Sequence, residues 1–212
     1  MKKTYDPQND KTIGFCPEYY DDMVEAWSKM PVVAPEYLFL GDSITEQGNW
    51  VERLQNKTVL NHGIKGDISI SVLRRLDETI RQQPKTILLM IGTNDLAKDI
   101  PETEVIKNTF EIIRRLHEGL SDTTIFLQSI LPVNNTIPAF EARFDNAEAI
   151  QNINRALIQP PSELTFNYLD LHEDFKDEHN RLISACTTDG LHLTEKGYQH
   201  WLNILKEEGI IA

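Results

Sequence analysis

The chain has 212 residues, 40% of them apolar, which is ordinary for a globular protein and enough for one sizeable core without a disulfide or structural metal. Its 21 lysines and arginines stand against 33 acidic residues, and a net charge of −12 disfavours nucleic acid or an anionic membrane surface as a partner. The two cysteines, Cys16 and Cys186, are too few for a disulfide framework and lack metal-type spacing, so each reads as a small buried hydrophobe.

Residues 1–17 are polar and lack the apolar stretch of a secretory signal, and no run in the chain reaches the ~20 apolar residues of a membrane span. The expectation is no stable membrane insertion and a cytoplasmic location, or a periplasmic or secreted one if a signal has been removed. The triplets beginning at Asn56 and Asn134 fit the glycosylation pattern, though without the secretory setting it needs. A helix is expected over 17–30, ended by Pro31 and Pro35, within an appendage 1–35 packed on the single domain that spans 1–212.

From there, apolar runs at 37–40, 58–60, 86–91, 124–127 and 168–171 read as strands. Their mostly continuous apolar character fits a parallel sheet covered on both faces. Between them the spacing predicts helices: over 46–54, on the face of Leu73, Leu76 and Ile80, and from Pro101 through Val105, Ile112, Ile113 and Leu116. A last helix carries Tyr198, Trp201, Leu202 and Leu205. Strand and helix in alternation imply right-handed crossovers and a three-layer α/β/α sandwich, whose ligands bind beyond the carboxyl ends of the strands.

Four segments fall at those ends or beyond the last strand. Ser43, in Gly41-Asp42-Ser43-Ile44-Thr45, can cap the following helix, or can point its hydroxyl into the cleft while its own N–H faces developing negative charge. Asn61-His62-Gly63-Ile64-Lys65-Gly66-Asp67 follows the second strand and Gly92-Thr93-Asn94-Asp95 the third. Glycines let backbone N–H groups approach a substrate, and an asparagine carboxamide is a donor that does not titrate, although both segments also suit tight turns. In Asp189-Gly190-Leu191-His192 the spacing can bring a carboxylate beside an imidazole, fixing its tautomer so that Nε2 accepts a serine proton; elsewhere such a pair serves as a turn cap.

Together these segments resemble the four signature blocks of the SGNH hydrolases, also called GDSL lipases and acylhydrolases, from Tyr37 onward. Ser43, Gly66, Asn94 and His192 fill the four defining positions. The text around Gly66, Asn94 and His192 is similar to the platelet-activating-factor acetylhydrolase catalytic-subunit branch, and bacterial sialate and other sugar O-acetylesterases carry similar blocks. Ile44 stands where the family name has leucine, a conservative departure. The resemblance implies a flavodoxin-like five-stranded parallel sheet in the order 2-1-3-4-5 and a triad of Ser43, His192 and Asp189. It also implies an oxyanion hole from the Ser43 N–H, the Gly66 N–H and the Asn94 side chain, with no metal or other cofactor.

An α/β-hydrolase would show Gly-x-Ser-x-Gly, but Thr45 lies two after Ser43, and no phosphate loop, dinucleotide fingerprint or zinc-peptidase motif occurs. The expected substrate is a small ester, acetyl on a carbohydrate first, with a lysophospholipid or thioester second and a non-catalytic ligand-binding module as the remaining alternative. His62, beside the glycine block, is a candidate substrate contact. The acidic residues Glu173, Asp174, Asp177 and Glu178 lack calcium-loop spacing and read as a solvated face. Phe140 and Phe144, in the segment 131–145, suit either a pocket wall or a helical core contact. Oligomeric state is not encoded in any pattern found.

Overall fold

The computed structural model describes residues 16–55 and 57–211. Five strands form one parallel sheet: β1 (Tyr37–Gly41), β2 (Val59–Gly63), β3 (Thr86–Met90), β4 (Thr124–Gln128) and β5 (Asn167–Leu169). Their order is β2-β1-β3-β4-β5, as the family resemblance implied. In β1 and β3 the apolar side chains on both faces are buried, which is why they read as unbroken runs rather than alternating ones. Leu38 pairs with Leu60 on one side and Ile87 on the other, and the register ends with Gly41 between Gly63 and Met90. The strand order reverses between β1 and β3, the place where a parallel sheet opens a crevice.

The helices are α1 (Pro17–Lys29), α2 (Ser43–Glu46), α3 (Trp50–Arg53), α4 (Ser69–Arg74), α5 (Leu76–Arg81), α6 (Thr93–Ala97), α7 (Glu102–Gly119), α8 (Ala147–Leu157), α9 (Leu171–Phe175) and α10 (Glu195–Glu207). The expected starts of α1 and α7 hold, with Pro17 in the first turn of α1 and Pro101 immediately before α7. Helix α1 seats Tyr20 and Trp27 with Ile64 in a small apolar cluster of its own, and the Tyr20 hydroxyl donates to the Ser71 carbonyl at 2.9 Å.

Two expected helices are broken. The stretch 46–54 divides into α2 and α3 because the chain turns at Asn49, φ +47°, which brings Trp50 back over the sheet. The Trp50 indole stacks on Phe39 at 3.9 Å and donates to the Thr45 carbonyl at 2.8 Å. The helix around Leu73, Leu76 and Ile80 divides at Arg75, whose side chain is drawn into the core. Strand β2 also extends further than its apolar run, through Asn61 and His62 to Gly63, so those residues belong to the sheet rather than to the loop after it. Asn61 can stay in a strand because its carboxamide is satisfied there, donating to the carbonyls of Thr45 and Glu46.

Candidate active site

Ser43 opens α2 immediately after β1. Asp42 caps that helix, its Oδ1 accepting the Ile44 N–H at 2.9 Å, so the cap that Ser43 might have supplied comes from its neighbour. Gly41 is required at the turn: a Cβ there would lie 2.4 Å from the Met90 carbonyl oxygen and 2.3 Å from Thr45 Oγ1. Relieved of capping, the Ser43 hydroxyl lies 3.0 Å from His192 Nε2.

His192 is held from the other side. Its Nδ1 lies 2.7 Å from Asp189 Oδ2, while Asp189 Oδ1 accepts the N–H groups of Leu191 and His192 at 2.9 and 2.7 Å. Burial pushes the Asp189 carboxyl up, but the imidazole contact and the two N–H donors together hold it below the ordinary aspartate range. The turn between them needs Gly190, at φ +85°, whose carbonyl accepts the Asn134 N–H at 2.8 Å. Thr187 closes the loop, its hydroxyl donating to the His192 carbonyl at 2.8 Å and accepting from the Gly190 N–H at 2.9 Å. Helix α10 then begins with Thr194 as its cap, and Tyr198 donates to the Ile44 carbonyl at 2.7 Å, tying the histidine loop to the serine helix.

Asn94, in the first turn of α6, is buried. Its Nδ2 donates to the Asp67 carbonyl at 3.0 Å and reaches Asp42 Oδ2 at 3.4 Å. The second contact is long, so that hydrogen is readily redirected to a stronger acceptor arriving in the cleft. Gly66, φ +75°, forms the turn just before Asp67. The structure therefore brings together Ser43, His192 and Asp189 directly, and ties Asn94 to Asp42 and Asp67, with Gly66 next to Asp67 in the chain. Burial pushes the Asp42 carboxyl up to about 7, against the pull of the Ile44 N–H.

Other candidates lie elsewhere. His62 is enclosed under α1, stacked on Trp27 at 4.2 Å with Nδ1 3.0 Å from Thr79 Oγ1, so it is not a substrate contact; its place in β2 rather than in the loop is the reason. Phe140 belongs to no helix and Phe144 ends the 3-10 turn Ala142–Phe144, so their four-residue spacing makes no helical contact; Phe140 lies beside Gly190. Asn134 is fully buried and donates to the Leu182 carbonyl at 2.8 Å, which removes it as a glycosylation acceptor; Asn56 lies outside the described residues. Cys186 is buried, which pushes its thiol up, whereas Cys16 is only half-buried. Glu173 and Asp177 are engaged by Lys176 and Arg181. Among the described residues no helix is long and apolar enough to cross a membrane. Three residues around the site escaped the sequence reading as functional candidates: Asp42, Asp67 and Arg75. The only signal for them was adjacency to the serine and glycine blocks, and for Arg75 there was none.

A hydrogen-bonded serine, histidine and aspartate at the carboxyl edge of a doubly wound parallel sheet is the arrangement of a hydrolase. A model of the GDSL-like lipase/acylhydrolase family matches residues 39–200, and the chain belongs to that family. No curated protein sequence matches it. Among solved structures, a protein of Streptococcus pneumonia described as a platelet activating factor is 32% identical, with a TM-score of 0.84 over 92% of this chain and 94% of that one. A GDSL-like lipase from Bacteroides thetaiotaomicron is 20% identical, TM-score 0.75, over 89% of this chain and 96% of its own. The acetylxylan esterase Axe2 from Geobacillus stearothermophilus is 19% identical, TM-score 0.66, over 85% and 97%.

Proposed function

We propose that the protein hydrolyses short-chain acyl esters, acetyl first, carried on a carbohydrate, through an acyl-enzyme on Ser43. The observation that carries this reading is the continuous contact from Ser43 Oγ through His192 to Asp189, at 3.0 and 2.7 Å. Ser43 Oγ attacks the ester carbonyl carbon as Nε2 takes its proton, and the tetrahedral oxyanion is met by the Ser43 N–H, the Gly66 N–H and Asn94 Nδ2. Nε2 then protonates the leaving alcohol, and water repeats the sequence to free the acid. Asp189 holds the imidazole in the required tautomer and offsets the charge it acquires.

A small recess of about 10 Å³, lined by Ile44, Met90, Ile130, Leu131 and Leu191 with Asp42 and Thr93 as its polar residues, supports a short acyl group. Asp42 and Ile44 flank the nucleophile, Thr93 precedes Asn94, and Leu191 precedes His192. An acyl tail that enters this recess, whose lining includes neither Ser43 nor His192, meets room for about one water-sized group, a methyl and not a fatty chain. The carbohydrate moiety draws on the acetylxylan esterases that share the fold. A nitrophenyl-ester series tests chain length, with kcat/KM expected to peak at acetyl and fall steeply by octanoyl; a steady rise to octanoyl overturns it. Acetate release from acetylated xylan should exceed fatty-acid release from a lysophospholipid, and the reverse ranking would replace the carbohydrate ester with a lipid one.

A further inference from the structure

Arg75 is among the largest fully buried side chains of the protein, an unusual place for a guanidinium. Its Nε donates to Asp67 Oδ2 at 2.8 Å and its Nη2 to the Gly41 carbonyl at 3.0 Å, while the Trp27 ring of α1 covers it at 5.2 Å. Gly41 ends the strand that delivers Ser43. Its carbonyl also accepts the Ile64 N–H at 3.1 Å, so both contacts draw the glycine turn toward the serine elbow. Asp67 directly follows Gly66, and its own carbonyl holds the Asn94 carboxamide. One planar cation therefore braces the segments that carry all three oxyanion donors.

Stability alone gives little reason for such a pair. Replacing a buried ion pair by apolar groups of similar volume is often neutral or favourable, because desolvation offsets the attraction. A planar guanidinium, by contrast, can hold two acceptors at a fixed angle, which a lysine ammonium cannot do with the same rigidity. We propose that Arg75 is a positioning residue of the oxyanion hole: by joining Asp67 to the Gly41 carbonyl it sets the Gly66 turn against Ser43 and, through Asp67, aims Asn94. This rests on the acyl-enzyme reading above.

The test uses the full chain, nitrophenyl acetate and a boronic acid that forms a tetrahedral adduct. Arg75→Lys keeps the charge and loses the fork. The double variant Arg75→Met with Asp67→Asn removes both charges, so no unpaired carboxylate is left buried. Both should fold and keep KM within about two-fold while kcat falls about 100-fold, the scale of a misplaced reacting geometry. Boronate inhibition should weaken in parallel with kcat. Either variant retaining parental kcat overturns the inference, as does a rise in KM with kcat unchanged. Failure of both to fold would assign Arg75 to stability and overturn it equally. Ser43→Ala separates the two levels: turnover that survives it removes the acyl-enzyme reading and this inference together, whereas Ser43-dependent turnover indifferent to Arg75 removes only the inference.

Discussion

Asn94 has a task only when the carbonyl oxygen of the substrate becomes an oxyanion. One hydrogen of its carboxamide is fixed by the Asp67 carbonyl at 3.0 Å, and the other rests on Asp42 at a long 3.4 Å. Asn94→Ala should therefore lower kcat by ~10²–10³, leaving KM nearly unchanged. If the residue merely shaped the turn after β3, the variant would melt earlier and the folded fraction would run at parental speed; melting temperature and kcat on one preparation distinguish these. Asp189→Asn should be harsher, about 10⁴ in kcat, because a carboxamide can stabilise the wrong tautomer of His192. The pH profile follows from the same pair. Asp189 is held below the ordinary aspartate range, so it stays ionised through the mildly acid range. Asp189→Asn should thus leave the number of titrating groups in the acid limb of kcat/KM unchanged, and a limb that loses one group in the variant would mean that Asp189 is not held as described.

At the level of elements, what was legible followed burial. Strands β1 and β3 are covered on both faces and β4 fully on one, and each reads as an apolar run whose ends agree with the structure to a residue. The breaks at Asn49 and Arg75 were not legible, since both arise from contacts outside the helical pattern: Trp50 returning to Phe39, and Arg75 reaching Asp67 and Gly41. The histidine loop shows how tightly an element can be specified by one residue. Gly190 sits at φ +85°, and a Cβ there would meet the Asn134 carbonyl oxygen at 2.3 Å, a backbone atom with little room to move. Gly190→Ala should cost ~1–3 kcal/mol in strain and clash and, because Asp189 and His192 straddle it, lower kcat at least about ten-fold. Gly209 is the control: its φ is +66°, but a Cβ there meets nothing within 4 Å. Gly209→Ala should show only the left-handed backbone penalty of ~1–2 kcal/mol and full kcat. Equal effects on kcat at the two glycines would contradict the placement of the loop.

For the whole molecule, the four chemistry-bearing segments could be read because each is a local string at a strand end. The buried polar groups beneath them could not, because burial of a charge is a property of the fold. His62 is the clearest case. It looked like a loop residue, yet it lies in β2 with its ring between Trp27 and Thr79 and its Nε2 buried without a partner. Burial, helped by the nearby Arg75 and Arg81, pushes its pKa down to about 3. An unfolded histidine titrates near ~6.5, so below that value the unfolded chain takes up a proton that the folded one refuses. The contribution of His62 is therefore fully present above pH ~6.5 and is lost as pH falls toward 3; between pH ~7.5 and ~5 the loss is roughly 2 kcal/mol. Asp42 and Asp95, both pushed up to about 7 by burial, act in the opposite sense, losing stability as pH rises from the ordinary aspartate range through 7. Acid sensitivity of the parent alone would thus mix the two, and a variant is needed to isolate the histidine. His62→Phe keeps an aromatic ring against Trp27 and cannot titrate. Urea midpoints for parent and variant at pH about 7.5 and about 5 should show the parent losing roughly 2 kcal/mol relative to His62→Phe on acidification, whatever the offset between them at the higher pH. A free-energy gap that stays constant across those two conditions would mean that His62 takes up its proton as readily in the folded protein as in the unfolded chain, which an imidazole sealed beneath Trp27 could not do.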